Sequence, residues 1–192
     1  MKKILLLLTV SIFILSTSTK ANIIEWGQFN GWEIGIMENE NYSCYAMSPS
    51  YEDGSLLKLG YDNTDNPSVP FYLYLGNLNW DSLKNGDTYP ITINFSPFKS
   101  IYDGDSSVSQ VGSFAYLYFE IADPDFVLDF AEKDAIEFFY RESSIANLSL
   151  DGSYIAIQEM LNCIEAVEQS GISNVAAERK LKRKSSRDPF SD

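Results

Sequence analysis

The residue types that most often perform catalysis are scarce in this chain. It has 192 residues with 27 Asp and Glu side chains but no histidine, which excludes a Ser-His-Asp triad, a Cys-His nucleophile and a histidine-ligated zinc site. Catalysis would then need paired carboxylates or a Ser-Lys couple, and no spacing singles out such a pair. The composition favours a non-enzymatic protein, with a carboxylate-dependent hydrolase of polysaccharide as the alternative.

Two segments carry the hard oxygen ligands that suit Ca²⁺. They are Asp103-Gly104-Asp105 and the stretch from Asp62 to Asp65. Neither has the third ligand, the glycine at a fixed offset and the terminal glutamate of an EF-hand. Asp, Asn and Gly are also ordinary turn residues, so we interpret both segments as turns, the first of them extending from Asp103 to Ser106. We therefore predict that the protein holds no metal and no cofactor.

The first 21 residues have the three regions of a secretory signal peptide. Lys2 and Lys3 precede an apolar run, and Thr19-Lys20-Ala21 forms a small-x-small cleavage site. The run is shorter than the ~20 residues that a membrane span requires, although an uncleaved anchor helix is the alternative. We therefore predict a periplasmic or secreted protein whose mature chain begins near Asn22 after cleavage.

Cys44 and Cys163 are the only cysteines. Export would place them in a compartment where disulfides persist, so we predict that they pair with each other. Two free thiols are the alternative. Since Cys44 falls in an early strand and Cys163 in a C-terminal helix, the bridge would join that helix to the sheet.

Charge divides the chain into an acidic body and a basic tail. Residues 22–177 contain five basic against 24 acidic side chains, whereas six basic and three acidic side chains follow. The acidic body excludes nucleic acid as a partner and favours a protein with a basic surface, unless the charge serves solubility alone. We predict one β-rich domain over residues 22–171 and a disordered basic tail over 172–192, through which alone the protein would contact a membrane.

Short alternating segments separated by turn clusters run from Ile23 to Ala122 and predict a sheet with one solvated face. The strands indicated by this alternation are 32–36, Ser43–Met47, Ser55–Tyr61, 69–75, 88–95 and Phe114–Ile121, followed by 135–141 and 145–150. The predicted class is mainly β (α+β): an antiparallel β-sandwich or open barrel.

Two helices complete the predicted fold. Asp123-Pro124-Asp125 begins a short helix, because Asp is a good N-cap and Pro suits the first helical position. After Asp151-Gly152-Ser153, the apolar residues Ile157, Leu161, Ile164 and Val167 recur at the spacing of a C-terminal amphipathic helix.

Four tyrosines alternate with apolar residues in two of the predicted strands. Tyr72 and Tyr74 share one face of the first strand, and Tyr116 and Tyr118 share one face of the second. If the intervening Leu and Phe residues face the core, a row of tyrosines meets solvent and forms a binding face. The alternative is that these tyrosines form ordinary cross-strand pairs.

The order of features resembles that of small periplasmic proteins of Gram-negative bacteria. The features are, in order, an exported leader, a strand opening with Gly31-Trp32, an early cysteine, a meander, and Leu148-Ser149-Leu150-Asp151-Gly152-Ser153 before a helix. This order is similar to that of the invasion-associated locus B proteins. Those proteins carry additional cysteines and lack the acidic body with its basic tail. The resemblance implies an exported β-sandwich without established enzymatic chemistry, and it supplies no catalytic residue.

These observations lead to one functional hypothesis with two alternatives. We predict an exported, non-enzymatic binding protein of the bacterial envelope that acts through an acidic, tyrosine-bearing face, in one version as an inhibitor of a basic hydrolase such as a lysozyme. A hydrolase of envelope polysaccharide and a structural component that contacts a host are the alternatives. The sequence leaves the oligomeric state and the partner's identity open.

Overall fold

The computed structural model describes residues 23–38, 42–48, 51, 53–62, 70–97, 100–111 and 114–170. The predicted signal peptide (residues 1–21) and basic tail (residues 172–192) lie outside these ranges and stay predictions. Within them the chain forms ten strands and two helices. The mainly β, α+β class is confirmed.

All ten strands belong to one open antiparallel sheet. The strands are β1 (Ile23–Phe29), β2 (Trp32–Met37), β3 (Ser43–Met47), β4 (Ser55–Tyr61), β5 (Phe71–Asn77), β6 (Thr88–Ser96), β7 (Ser100–Val111), β8 (Phe114–Ile121), β9 (Ala135–Tyr140) and β10 (Ser143–Ser149), and the helices are α1 (Pro124–Glu132) and α2 (Ser153–Ser170). Their order across the sheet is β1-β2-β3-β4-β5-β8-β7-β6-β9-β10.

The sheet is a simple meander only as far as β5. Its next neighbour is β8, and β6 to β8 then run back through the sheet in reverse order. The segment before β4 contacts the edge strand β10, because the Tyr51 hydroxyl donates a hydrogen bond to the carbonyl of Ser149 (2.7 Å).

The core is built from the inward residues of nearly every strand together with one side of each helix. Its buried residues in the central strands are Leu57, Leu59, Leu73, Leu75, Ile91, Ile93, Phe95, Val108, Leu117 and Phe119. Helix α1 adds Phe126 and Phe130, and α2 adds Ala156 and Met160. Trp32 in β2 is 1% exposed and meets the Phe130 ring edge-on at 5.7 Å.

Both helices begin where the sequence predicts. Asp123 caps α1, since its side chain accepts a hydrogen bond from the Asp125 backbone N–H (2.9 Å), and Pro124 occupies the first turn. Helix α2 begins at Ser153, directly after Gly152, whose φ of +81° suits glycine. None of the helices in the described part of the chain is long and apolar enough to cross a bilayer.

The predicted disulfide is confirmed. Cys44 and Cys163 are bonded with their Cα atoms 6.2 Å apart across a sequence separation of 119 residues. Cys44 lies on the inner face of β3, so the bridge links α2 to the sheet beneath it.

The prediction of a turn from Asp103 to Ser106 is wrong. These residues lie in the middle of β7, where Asp103 pairs with Thr92 and Asp105 with Pro90 of β6. The Thr92 hydroxyl also donates a hydrogen bond to the Asp103 carboxylate. Pairing with a neighbouring strand has overridden the local turn preference of Asp, Gly and Ser.

Candidate functional site

The four predicted tyrosines lie together on the outer face of the sheet, and we call them the tyrosine face: Tyr72, Tyr74, Tyr116 and Tyr118. Strands β5 and β8 are neighbours, with Tyr74 directly opposite Tyr118. The Tyr74 ring centroid lies 5.1 Å from those of Tyr72 and Tyr118 and 4.8 Å from that of Tyr116. Such spacing is typical of interacting aromatic pairs, so the tyrosines form one packed array.

Exposure within the array is uneven, and this corrects one expectation. Tyr74, Tyr116 and Tyr118 are half-buried, but Tyr72 is only 4% exposed. Its ring lies over Gly60 on the neighbouring strand, in space that any Cβ at position 60 would fill. Its hydroxyl is also 3.0 Å from the Ser43 hydroxyl. Tyr72 therefore supports the array instead of presenting its ring to solvent.

Sequence reasoning missed two neighbours of the array. The Lys58 ammonium lies 4.4 Å from the Tyr74 ring centroid and 5.3 Å from those of Tyr45 and Tyr72, within the range of cation–π interactions. Tyr45 in turn lies across Gly35 and donates a hydrogen bond to Glu33 Oε1 (2.8 Å). Alternation in β4 placed Lys58 on the face opposite Leu57 and Leu59, but the sheet order was needed to bring it beside the tyrosines.

Acidic residues border the tyrosine face on one side. Glu120 follows Tyr118 by two residues on the outer face of β8, and Asp103 and Asp105 lie on β7; all three are exposed. Between these two strand segments is a cleft of about 380 Å³. Negative charge is thus concentrated at this border, while Lys58 lies on the opposite side of the array, on β4.

Tyr102 also lines that cleft. Its ring packs edge-on against Phe95 and Phe126, with centroids 5.8 and 5.0 Å away. Its hydroxyl donates a hydrogen bond to Asp129 Oδ2 (2.8 Å), and the other Asp129 oxygen is 3.6 Å from Lys133 Nζ. Burial raises the pKa of Tyr102 well above its ordinary value, and the hydrogen bond to Asp129 raises it further.

This raised pKa predicts a loss of stability in alkali. The unfolded chain ionises Tyr102 near pH 10, whereas the folded chain resists ionisation, so Tyr102 contributes stability that is complete below about pH 10 and falls as the pH rises above it. We expect Tyr102→Phe to lose less unfolding free energy than the wild type between about pH 9 and pH 11. Urea titrations at each pH measure this, and equal losses would contradict it.

In the part of the chain that the structure describes, no three His, Cys, Asp or Glu side chains are placed to hold a metal ion. What the tyrosine face offers is a set of large rings with one nearby cation and an acidic border. Tyrosine rings provide broad contact area at low conformational cost.

The fold and surface thus define a disulfide-linked, open-sheet protein with an aromatic outer face. Comparison with solved structures finds a similar fold in invasion associated protein B from Bartonella henselae, with a TM-score of 0.52, 10% sequence identity, and coverage of 72% of this chain and 97% of that one. No protein-family model matches the chain, and no curated protein sequence matches it. The likeness supports the resemblance drawn from the sequence at the level of the fold alone.

Proposed function

We propose that this protein is an exported, non-enzymatic binding protein that engages a partner with a basic surface through the tyrosine face and its acidic border. The observation that carries the proposal is the packed array, in which Tyr74 contacts the other three tyrosines. Tyrosines are enriched at protein interfaces because one end of the ring is apolar and the other forms hydrogen bonds.

The packing of the array supports a role in recognition. Tyr72 is held by Gly60 beneath its ring and by Ser43 at its hydroxyl, and Lys58 lies against three tyrosine rings. Side chains held in this way lose little conformational entropy when a partner binds. A preorganised aromatic surface is more useful for binding than a set of mobile side chains.

Charge supports the proposed class of partner. Residues 22–177 carry 24 acidic against five basic side chains, and Glu120 with Asp105 places some of this charge at the border of the tyrosine face. A field of this sign accelerates association with cationic proteins and weakens as salt is added. A secreted basic hydrolase, such as a lysozyme, has the required surface.

The disulfide supports the proposed location. Disulfides such as that between Cys44 and Cys163 persist in oxidising compartments, which include the periplasm and the space outside the cell. The similar fold of a protein named as invasion associated is consistent with a role in the envelope or at the host interface.

Replacing the three half-buried tyrosines tests the proposal. We expect Tyr74→Ser/Tyr116→Ser/Tyr118→Ser to weaken binding to lysozyme by at least about 100-fold, since each aromatic anchor of an interface contributes on the order of 1–2 kcal/mol or more. Calorimetric titration at about 20 and 200 mM salt measures the affinity and its dependence on charge.

A matched tyrosine outside the array provides the control. Tyr154 on α2 is 53% exposed, so Tyr154→Ser removes the same chemical group without changing the array, and it should bind like the wild type. Wild-type protein that shows no salt-sensitive binding would contradict the basic-hydrolase version. A triple variant that is folded and binds normally would contradict the role of the tyrosine face.

A further inference from the structure

Strands β7 and β8 are paired along only part of their lengths. Their ladder runs from Ser107 opposite Tyr118 to Val111 opposite Phe114. Strand β7 begins at Ser100 and is paired with β6 from that residue onward. Within the described chain, residues 100–106 of β7 therefore have no paired strand on the side that faces β8. The last residues of β8 likewise have none on the side that faces β7.

The unpaired segments direct hydrogen-bonding groups toward each other. The Val108 N–H donates to the Asp87 carbonyl (2.8 Å) and its carbonyl accepts from Gly86 (3.0 Å), both on the β6 side. Because successive residues of a strand direct their backbone groups to opposite sides, Asp103 and Asp105 direct theirs toward β8. By the same alternation from Tyr118, Glu120 directs its backbone N–H and C=O toward β7.

Like charges would meet if the ladder continued beyond Ser107 and Tyr118. If the register of Ser107 with Tyr118 continued, Asp105 would lie directly opposite Glu120. Like charges at directly opposed positions destabilise a sheet, and these side chains lie on the same outer face. Positive charge between the two strands would remove this repulsion.

The cleft between the strands has two chemical layers. Its floor is formed by Phe119, Ile121 and Phe126, whereas its rim carries the carboxylates of Asp103, Asp105 and Glu120. Its volume of about 380 Å³ is in the range of protein ligand sites. An extended segment with side chains alternating between apolar and basic would place one set on the floor and the other at the rim.

We propose that this cleft binds an extended, lysine- or arginine-containing segment of a partner protein as an added β-strand. The segment pairs with the free backbone groups of β7 or β8, as in other cases of strand addition, and its cations pair with the carboxylates at the rim of the cleft. The rim carboxylates are also the acidic border of the tyrosine face, so this inference rests on the proposed function and names the kind of partner segment that the border binds. The triple tyrosine variant, whose carboxylates are unchanged, distinguishes the two.

A synthetic octapeptide of alternating lysine and valine is the probe for this site. We expect the full-length protein to bind it with an affinity that falls as salt is raised. A control peptide of the same sequence, N-methylated at every second residue on its pairing edge, keeps the charge but lacks the donors. It should bind at least about tenfold more weakly, and equal binding of the two peptides would overturn the proposal.

Substitutions separate this cleft from the rest of the acidic surface. We expect Asp105→Asn/Glu120→Gln to weaken peptide binding by about tenfold or more, while Glu168→Gln, at an exposed position of α2, leaves it unchanged. The triple tyrosine variant should still bind the peptide. Equal weakening by Glu168→Gln would show nonspecific attraction and overturn the proposal.

Amide hydrogen exchange locates the bound strand. We expect the peptide to slow exchange at Asp103, Asp105 or Glu120, whose amides face the cleft. Protection confined to other strands would overturn the proposal. A last outcome concerns the chain's own tail. If exchange is already slow before peptide is added, and becomes fast when the six basic residues after Glu178 are changed to glutamine, the tail itself occupies the cleft. That result would overturn the proposal of an external partner.

Discussion

Removing the disulfide should lower the unfolding free energy by about 4 kcal/mol. The bond between Cys44 and Cys163 closes a loop with a sequence separation of 119 residues, and in the chain-entropy model a loop of about 100 residues contributes about 4.7 kcal/mol, with typical measured losses of 2–5 kcal/mol. The relevant variant is Cys44→Ala/Cys163→Ala, because both positions are at most 1% exposed and alanine adds no buried polar group. Urea unfolding with and without reductant measures the loss.

The reductant supplies the control for this prediction. Reduced wild-type protein should be weakened by a similar amount, whereas the double variant should be unaffected by reductant. The largest structural effect should be in α2, which the bridge links to β3, so amide exchange should accelerate there first. Equal stability of oxidised and reduced wild-type protein would contradict a stabilising role for the bond.

Truncation of Trp32 should have a comparable effect. Its indole is 1% exposed, packs edge-on against Phe130 and donates a hydrogen bond from Nε1 to the Asp151 carbonyl (2.9 Å). The ring therefore joins β2 to α1 and to the turn before α2. We expect Trp32→Ala to lower the unfolding free energy by about 3–5 kcal/mol, the range for large aromatic residues in a core.

Two further variants separate packing from hydrogen bonding at this position. Trp32→Phe keeps an aromatic ring but removes the donor, so its loss should be smaller than that of Trp32→Ala. Leu128→Ala is the surface control, because Leu128 on α1 is 58% exposed, and it should change the unfolding free energy by about 0.5 kcal/mol or less. Similar losses for Trp32→Ala and Leu128→Ala would show that Trp32 does not organise the core.

Local signals in the sequence were sufficient for most of the secondary structure. Alternation located β3, β4 and β8 at Ser43–Met47, Ser55–Tyr61 and Phe114–Ile121, and the cap at Asp123 located the start of α1. Cysteine number and predicted export were sufficient for the disulfide. The strands and the helix start depend on short stretches of chain, which a single sequence contains. The disulfide pairing follows because the chain has only two cysteines.

Features that depend on pairing between distant strands could not be predicted in this way. Strand β7 was missed because Asp103 to Ser106 has the composition of a turn, and only the register with β6 shows that it is extended. The burial of Tyr72 follows from Gly60 lying opposite it, and the contact of Lys58 with the array has the same origin. The partial ladder between β7 and β8 likewise appears only once the sheet order is known.

Site-specific photo-crosslinking in the organism that produces the protein tests the central proposal most directly. A photoreactive benzoylphenylalanine at position 118 places the crosslinker in the tyrosine face, and the same residue at position 154, where tyrosine is exposed on α2, is the control. We expect position 118 to yield a discrete crosslinked protein that diminishes at high salt and is absent from position 154. No crosslink at 118, or the same products at both positions, would contradict binding through the tyrosine face.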